Sequence, residues 1–179
     1  MQAARGASLS PGGGHGATTR TYVRLFAGVA LIAFALDQVT KVWAAAELQG
    51  RDPVEIIPGV LSLSFLRNPG AALSTGAGFT LVLSLVAIGV SIGVIRVASR
   101  LRDKGWAVGL GLLLAGALGN LSDRILREPS PLKGHVVDFI DYGVFVGNVA
   151  DIALTVAAVI IVWRAWRGVR IDGTREEKS

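Results

Sequence analysis

Apolar positions gather into four blocks, Leu25 to Ala46, Gly76 to Ile95, Gly105 to Leu121 and Asn148 to Trp166, separated by shorter charged or Pro/Gly-containing segments. Each block is close to the roughly 20 residues that a helix needs to cross about 30 Å of hydrocarbon. The pattern predicts a membrane protein with an all-α core of four transmembrane helices. Asp37 and Lys41 interrupt the first block, and three more blocks follow it. That argues for a retained first span rather than a cleaved signal peptide. Between the first two blocks, the outer segment 49–75 carries turn signals at Asp52-Pro53, Pro58-Gly59 and Pro69-Gly70. Within it, Gly59 to Phe65 alternates apolar residues with Ser62 and Ser64. This period of two fits a short half-buried strand at the membrane interface, and an irregular interfacial loop fits as well. The second outer segment, 124–147, is a charged collar with Arg124, Arg127, Glu128, Lys133, His135, Asp138 and Asp141. Its Gly134, Gly143 and Gly147 make it adaptable, either as a lid over a cleft or as a plain polar loop. The domain plan is a disordered tail over 1–19, a four-span domain over 20–167 and a polar tail over 168–179.

Composition supports the membrane reading, because only 17% of the 179 residues are charged, against roughly 25% in soluble domains. Twelve of the 18 basic residues fall before the first block, between the second and third, or from the last turn of the fourth onward. These three groups share one side if the chain crosses four times, and the positive-inside rule makes that side cytoplasmic. Both termini are then cytoplasmic. The net charge of +5 therefore marks topology, and its partners are anionic membrane phospholipid headgroups rather than nucleic acid. Absence of cysteine removes disulfides, thiolate nucleophiles and iron–sulfur ligation. With only two histidines, one of them His15 in the tail, no metal centre and no cofactor is expected.

The chemistry concentrates at the outer ends of spans three and four, where Asn120-x-x-Asp123 is echoed by Asn148-x-x-Asp151. Residues three apart share a helix face, so each aspartate lies beside an asparagine amide. Burying a carboxylate is costly unless it is hydrogen-bonded, paired or protonated. Two such groups on neighbouring helices suggest a pair that holds a water, one carboxylate taking its proton while the other polarises a carbonyl. Plainer roles are an ion pair of Asp123 with Arg124 or Arg127, and a dipole-favoured helix start for Asp151. Asp37 and Lys41 are four apart and can compensate each other, or Lys41 can meet a headgroup. Asn68 can bond a peptide backbone, and the small Gly70 beside it allows close approach, or the stretch is simply a turn into span two.

Taken in order, Asp37-Gln38-x-x-Lys41, Asn68-Pro69-Gly70-Ala71-Ala72, Gly116-Ala117-Leu118-Gly119-Asn120-Leu121-Ser122-Asp123-Arg124, Val136-Val137-Asp138-Phe139 and Asn148-Val149-Ala150-Asp151 resemble the bacterial lipoprotein signal peptidase family, signal peptidase II. The resemblance covers about Tyr22 to Trp166. It implies four transmembrane helices with a small extracytoplasmic β-cradle and an outer lid loop or short helix, in the bacterial cytoplasmic membrane. It also implies an aspartic endopeptidase, working without metal or nucleotide near the outer face. Its substrate would be a prolipoprotein, cut before a diacylglyceryl-modified cysteine, and globomycin-class cyclic peptides would inhibit it. Asp123 and Asp151 are carried over as the catalytic aspartates. Asn120, Arg124, Asp138 and Asn148 are carried over as supporting residues, with Asn68 and Gly70 toward the substrate backbone. Asp37 and Lys41 become structural or headgroup-facing. Leu73 stands where many members have phenylalanine, and Gly147 where a bulky residue is common. Outside the family, a proton-coupled small transporter or a non-catalytic scaffold packed through Gly89-x-x-x-Gly93 and Gly105-x-x-x-Gly109 are the competing readings.

Overall fold

The computed structural model describes residues 14–70, 76–129 and 131–175. Ala71 and Ala72 of the Asn-Pro-Gly-Ala-Ala motif, and Leu73, lie outside the described residues. Among those described, four helices are long and apolar enough to cross a membrane. They are α1 (Gly14–Glu47), α2 (Gly76–Ala98), α3 (Lys104–Leu126) and α4 (Val149–Trp166). Leu31, Ile32, Val39, Leu85, Val159 and Val162 are each more than half exposed on their outer faces. A continuous apolar surface of this kind is suited to lipid. Helix α1 already begins at Gly14, inside the stretch expected to be a disordered tail.

Helix α3 is the most enclosed of the four and packs against α1, α2 and α4. Small residues make this possible. A methyl group on Gly116 would lie 2.6 Å from Leu154 Cγ and 2.7 Å from the Ala150 carbonyl oxygen, so α3 and α4 approach to backbone contact there. At the opposite end of the pair, the N-cap Asp103 accepts from Trp106 N and is ion-paired with Arg164 of α4. That end is filled by Phe26, Val94, Leu101, Leu110 and Leu114.

Four strands form one antiparallel sheet in the order β1 (Val54–Ile57), β2 (Leu61–Asn68), β3 (Val136–Asp141), β4 (Val146–Gly147). The alternating stretch of the first outer segment is thus a strand, β2, longer than its sequence pattern and paired on both sides. The second outer segment starts as the last turn of α3 and then supplies β3 and β4. Its charged collar is therefore partly core: Val136, Val137, Asp138 and Phe139 are all buried. Val137 and Phe139 pack on Ala44 and Leu48 at the end of α1, fixing the sheet to the bundle.

The polar stretch after Gly168, expected as a tail, is built into the opposite end of the molecule as far as Arg175. Val169 bridges Arg175, Trp106 Nε1 donates to the Val169 carbonyl at 2.7 Å, and Arg102 N donates to the Ile171 carbonyl at 3.0 Å.

Candidate active site

Lys41 is fully enclosed between α1 and α3, at 0% exposure. Removing an ammonium group from water costs several kcal/mol, about what good geometry and complete hydrogen bonding can recover. Its Nζ has three donors, and it meets Asp37 Oδ2, Asp123 Oδ2 and Asn120 Oδ1, each at 2.9 Å. Asp37 in turn accepts from Ala150 N at 2.8 Å, taking one of the amides left open in the first turn of α4. Gln38 Nε2 ties the same carboxylate, at 2.9 Å, to the Gly119 carbonyl, at 3.2 Å. A methyl on Gly119 would stand 2.5 Å from Asp37 Oδ2, so this contact requires glycine.

Asp123 belongs to the same cluster. Besides Lys41, it accepts from Arg127 Nε at 2.6 Å and from Val137 N at 3.2 Å. Two cations and a backbone amide occupy its oxygens, and it is 1% exposed. Such a carboxylate joins α1, α3 and β3 and has no oxygen facing open space. The plainer of its two expected roles, an ion pair with Arg127, describes a contact that it makes here, in the last turn of α3.

Asp151 has different neighbours. It sits in the first turn of α4 and is only partly buried. Its Oδ2 accepts from Asn148 N and its Oδ1 from Asn120 Nδ2, both at 3.0 Å. Asn148 Oδ1 accepts from Asp151 N at 3.1 Å, completing a reciprocal capping box. The Asn148 side-chain amide meanwhile donates to Asp138 Oδ1 at 2.5 Å. Asn148 therefore touches Asp151 with its backbone and Asp138 with its side chain. The second Asp138 oxygen accepts from Asn68 Nδ2 at 2.7 Å. Gly70 N donates to Asn68 Oδ1 at 2.8 Å and so sets which way that amide points. Gly70 has φ +99, where a side chain would be strained, and an added methyl would lie 3.0 Å from Leu83 Cδ1.

Burial raises the Asp138 carboxyl to about 6, and the nearby Asp151 charge pushes the same way. Hydrogen bonds from Asn68 and Asn148 and the Lys41 charge pull it down without cancelling the rise. Arg124 closes the site from the side. It is 9% exposed, donates from Nη1 to the Asn120 carbonyl at 3.3 Å, and feels the charges of Asp151, Asp138 and Asp123. Its buried Nε has no hydrogen-bond partner among the described residues. Leaving such a group unmet costs about 1–3 kcal/mol, a cost that a bound carbonyl would relieve. Asp37, Asp123, Asp138 and Asp151 face three cations, Lys41, Arg124 and Arg127. One proton held by Asp138 makes that group of seven neutral.

The structure thus gathers Asp37, Lys41, Asn68, Gly70, Asn120, Arg124, Asp138, Asn148 and Asp151 into one connected network with Asp123. Arg127 was read only as one option for an ion pair, and Gln38 was given no role of its own. Asp138, expected as a supporting residue, lies at the centre of the network. The available signal was a lone acid inside Val-Val-Asp-Phe-Ile, a buried-strand composition in which a carboxylate needs a reason.

The sequence model of the family described as signal peptidase (SPase) II matches residues 29–167. A lipoprotein signal peptidase of Mycobacterium avium is 47% identical over 158 residues, 88% of this chain and 87% of that protein. One from Rhodococcus jostii is 46% identical over 158 residues, 88% of this chain and 78% of that protein. A solved bacterial membrane enzyme has a similar fold, with a TM-score of 0.69 at 29% identity, covering 89% of this chain and 95% of that one. A second solved bacterial membrane enzyme gives a TM-score of 0.67 at 30% identity, covering 82% and 92%. Agreement over this much of the chain, in sequence and in fold, means that the chain belongs to the signal peptidase II family.

Proposed function

We propose that this protein is an aspartic endopeptidase that removes signal peptides from prolipoproteins, cutting before the diacylglyceryl-modified cysteine, with Asp138 and Asp151 as its catalytic pair. The observation that carries the pair is Asn148, whose backbone N–H holds Asp151 while its side-chain amide holds Asp138. Two carboxylates sharing one polar frame, with one kept partly protonated near neutral pH, are what aspartic proteolysis requires. Asp151 acts as the base and takes a proton from the attacking water. Asp138 donates its proton to the scissile carbonyl oxygen as the tetrahedral centre forms. Collapse of that centre breaks the C–N bond, the proton taken up by Asp151 passes to the leaving amine, and one hydroxyl of the diol returns its proton to Asp138 as the new carboxyl group forms. Asn120 and Asn148 hold Asp151 in place, and Asn68 holds Asp138. Arg124 Nε offers a donor to a substrate carbonyl.

Topology fits this chemistry. The catalytic network and sheet lie at one end of the bundle and the arginine-rich connections at the other, so the positive-inside rule puts both termini in the cytoplasm and the site at the outer face. A lipid-modified cysteine would leave its acyl chains in the bilayer while its peptide bond reaches the pair. Membrane phospholipid surrounds the spans, and a globomycin-class cyclic peptide would compete for the same cleft.

Purified protein is incubated with a diacylglyceryl-modified precursor, with the unmodified precursor, and with the modified precursor plus a globomycin-class peptide. Cleavage of the first alone is expected. Equal cleavage of the unmodified precursor, or none of either by folded protein, would refute the substrate assignment.

A further inference from the structure

At the end of the bundle away from the carboxylates, the chain builds a cavity of about 450 Å³. Its apolar wall includes Val97, Trp106, Ala165 and Ile171, and Arg100 and Arg170 lie on its rim. A second cavity of about 440 Å³ shares Arg100 and adds Arg102. Asp172 borders both cavities, so the linings of the two together hold three arginines and one carboxylate. The carboxylate is solvent-exposed and capped by its own turn. Asp172 accepts from Thr174 N at 3.0 Å and from Thr174 Oγ1 at 2.6 Å.

The floor of this pocket is a folded turn. Arg170 N donates to the Thr174 carbonyl at 2.8 Å, and Gly173 N to the Arg170 carbonyl at 2.9 Å. Gly173 has φ +80, and a methyl there would lie 2.9 Å from the Arg102 carbonyl, so the turn is seated directly on the α2–α3 connection. Its position matters as much as its shape. The pocket opens where α2 ends at Ala98, α3 begins at Lys104 and α4 ends at Trp166, the level at which phospholipid headgroups lie. An indole beside an aliphatic wall, with arginines at the polar edge, matches a molecule that is apolar at one end and anionic at the other.

We propose that this pocket binds one anionic glycerophospholipid of the surrounding leaflet, its phosphate against Arg100, Arg102 and Arg170 and an acyl chain along Val97, Trp106 and Ile171. The site is separate from the peptidase centre. The lipid would hold the 168–175 turn against α2, α3 and α4.

The test uses the full-length protein in nanodiscs of phosphatidylcholine with one-fifth phosphatidylglycerol, and native mass spectrometry counts the lipids that remain after detergent release. Wild type is expected to retain one phosphatidylglycerol in preference to phosphatidylcholine. Near a membrane surface each basic residue is worth about 1 kcal/mol, so Arg100→Ala with Arg170→Ala should weaken retention about thirtyfold. Ala165→Trp, which fills the cavity and keeps every arginine, should also abolish retention, and it covers the case in which the double variant folds poorly. Glycerol phosphate or inorganic phosphate added at the same concentration should not displace the lipid. Equal retention of the two lipids, unchanged retention in Ala165→Trp, or displacement by free phosphate would each overturn the proposal.

Discussion

A buried lysine must find an acceptor for each of its three N–H bonds, and Lys41 finds them on Asp37, Asp123 and Asn120. That arrangement uses Asp123 as a counter-ion and leaves chemistry to carboxylates held by neutral amides. Asp138 is such a group, with both oxygens on asparagine amides and its carboxyl raised to about 6. Because the raised value belongs to the folded state, the folded protein binds this proton more tightly than the unfolded chain between about pH 4 and pH 6. The contribution of Asp138 to stability therefore declines as pH rises through that window. In the proposed mechanism the same proton is the one donated to the scissile carbonyl. The kcat/KM of the purified enzyme is expected to fall as pH rises through about 6, as a property of the coupled pair. A profile flat from pH 5 to pH 8 would contradict a proton-donating Asp138. The sequence made Asp151 legible, since an aspartate three residues after an asparagine at a helix start is a capping pattern. It did not single out Asp138, because Asn120-x-x-Asp123 repeats that spacing, whereas the contacts that build the network cross 70 residues from Asn68 to Asp138 and 113 from Asp37 to Ala150.

The four spans could be read from block length alone, because a helix crossing lipid needs a long apolar run whatever its tertiary contacts. The sheet was less legible. Strand β2 showed its period of two, but β3 is buried at four successive positions and so has no alternation to reveal it. Helix packing was legible in part, through glycines whose partners the sequence does not name. Gly116 faces Leu154 and the Ala150 carbonyl, whereas a methyl added at Gly93 would meet nothing within 4 Å outside its own helix backbone among the described residues. Gly116→Ala is expected to destabilise the protein by about 1–3 kcal/mol through overpacking. It should also slow turnover, because Ala150 precedes Asp151. Gly93→Ala should change stability by no more than about 1 kcal/mol. Thermal unfolding in one detergent compares the two, and equal effects would argue against close α3–α4 contact.

At the scale of the molecule, polar groups divide between two ends: the carboxylate network under the sheet, and the arginines around the α2–α3 connection and the C-terminal turn. A proton-coupled transporter would need polar groups continuing between them, and the buried residues of α3 and α4 between the two ends include Ala115, Ala117, Ala153 and Ala157. Orientation can be read directly because the chain has no cysteine. Val144→Cys, at a position 90% exposed beside the sheet, should react with an impermeant maleimide in intact cells, and Thr174→Cys only after permeabilisation. The reverse pattern would place the site in the cytoplasm. Turnover of a diacylglyceryl-modified prolipoprotein, measured per folded molecule in Asp138→Asn and Asp123→Asn, tests the catalytic pair most directly. Asp138→Asn is expected to fold normally and lose turnover by roughly 10²- to 10⁴-fold, as Asp151→Asn should. Asp123→Asn should lose mainly folded yield, because Lys41 and Arg127 lose their shared counter-ion. An active Asp138→Asn beside a fully folded, inactive Asp123→Asn would contradict the assignment and return Asp123 to the catalytic pair.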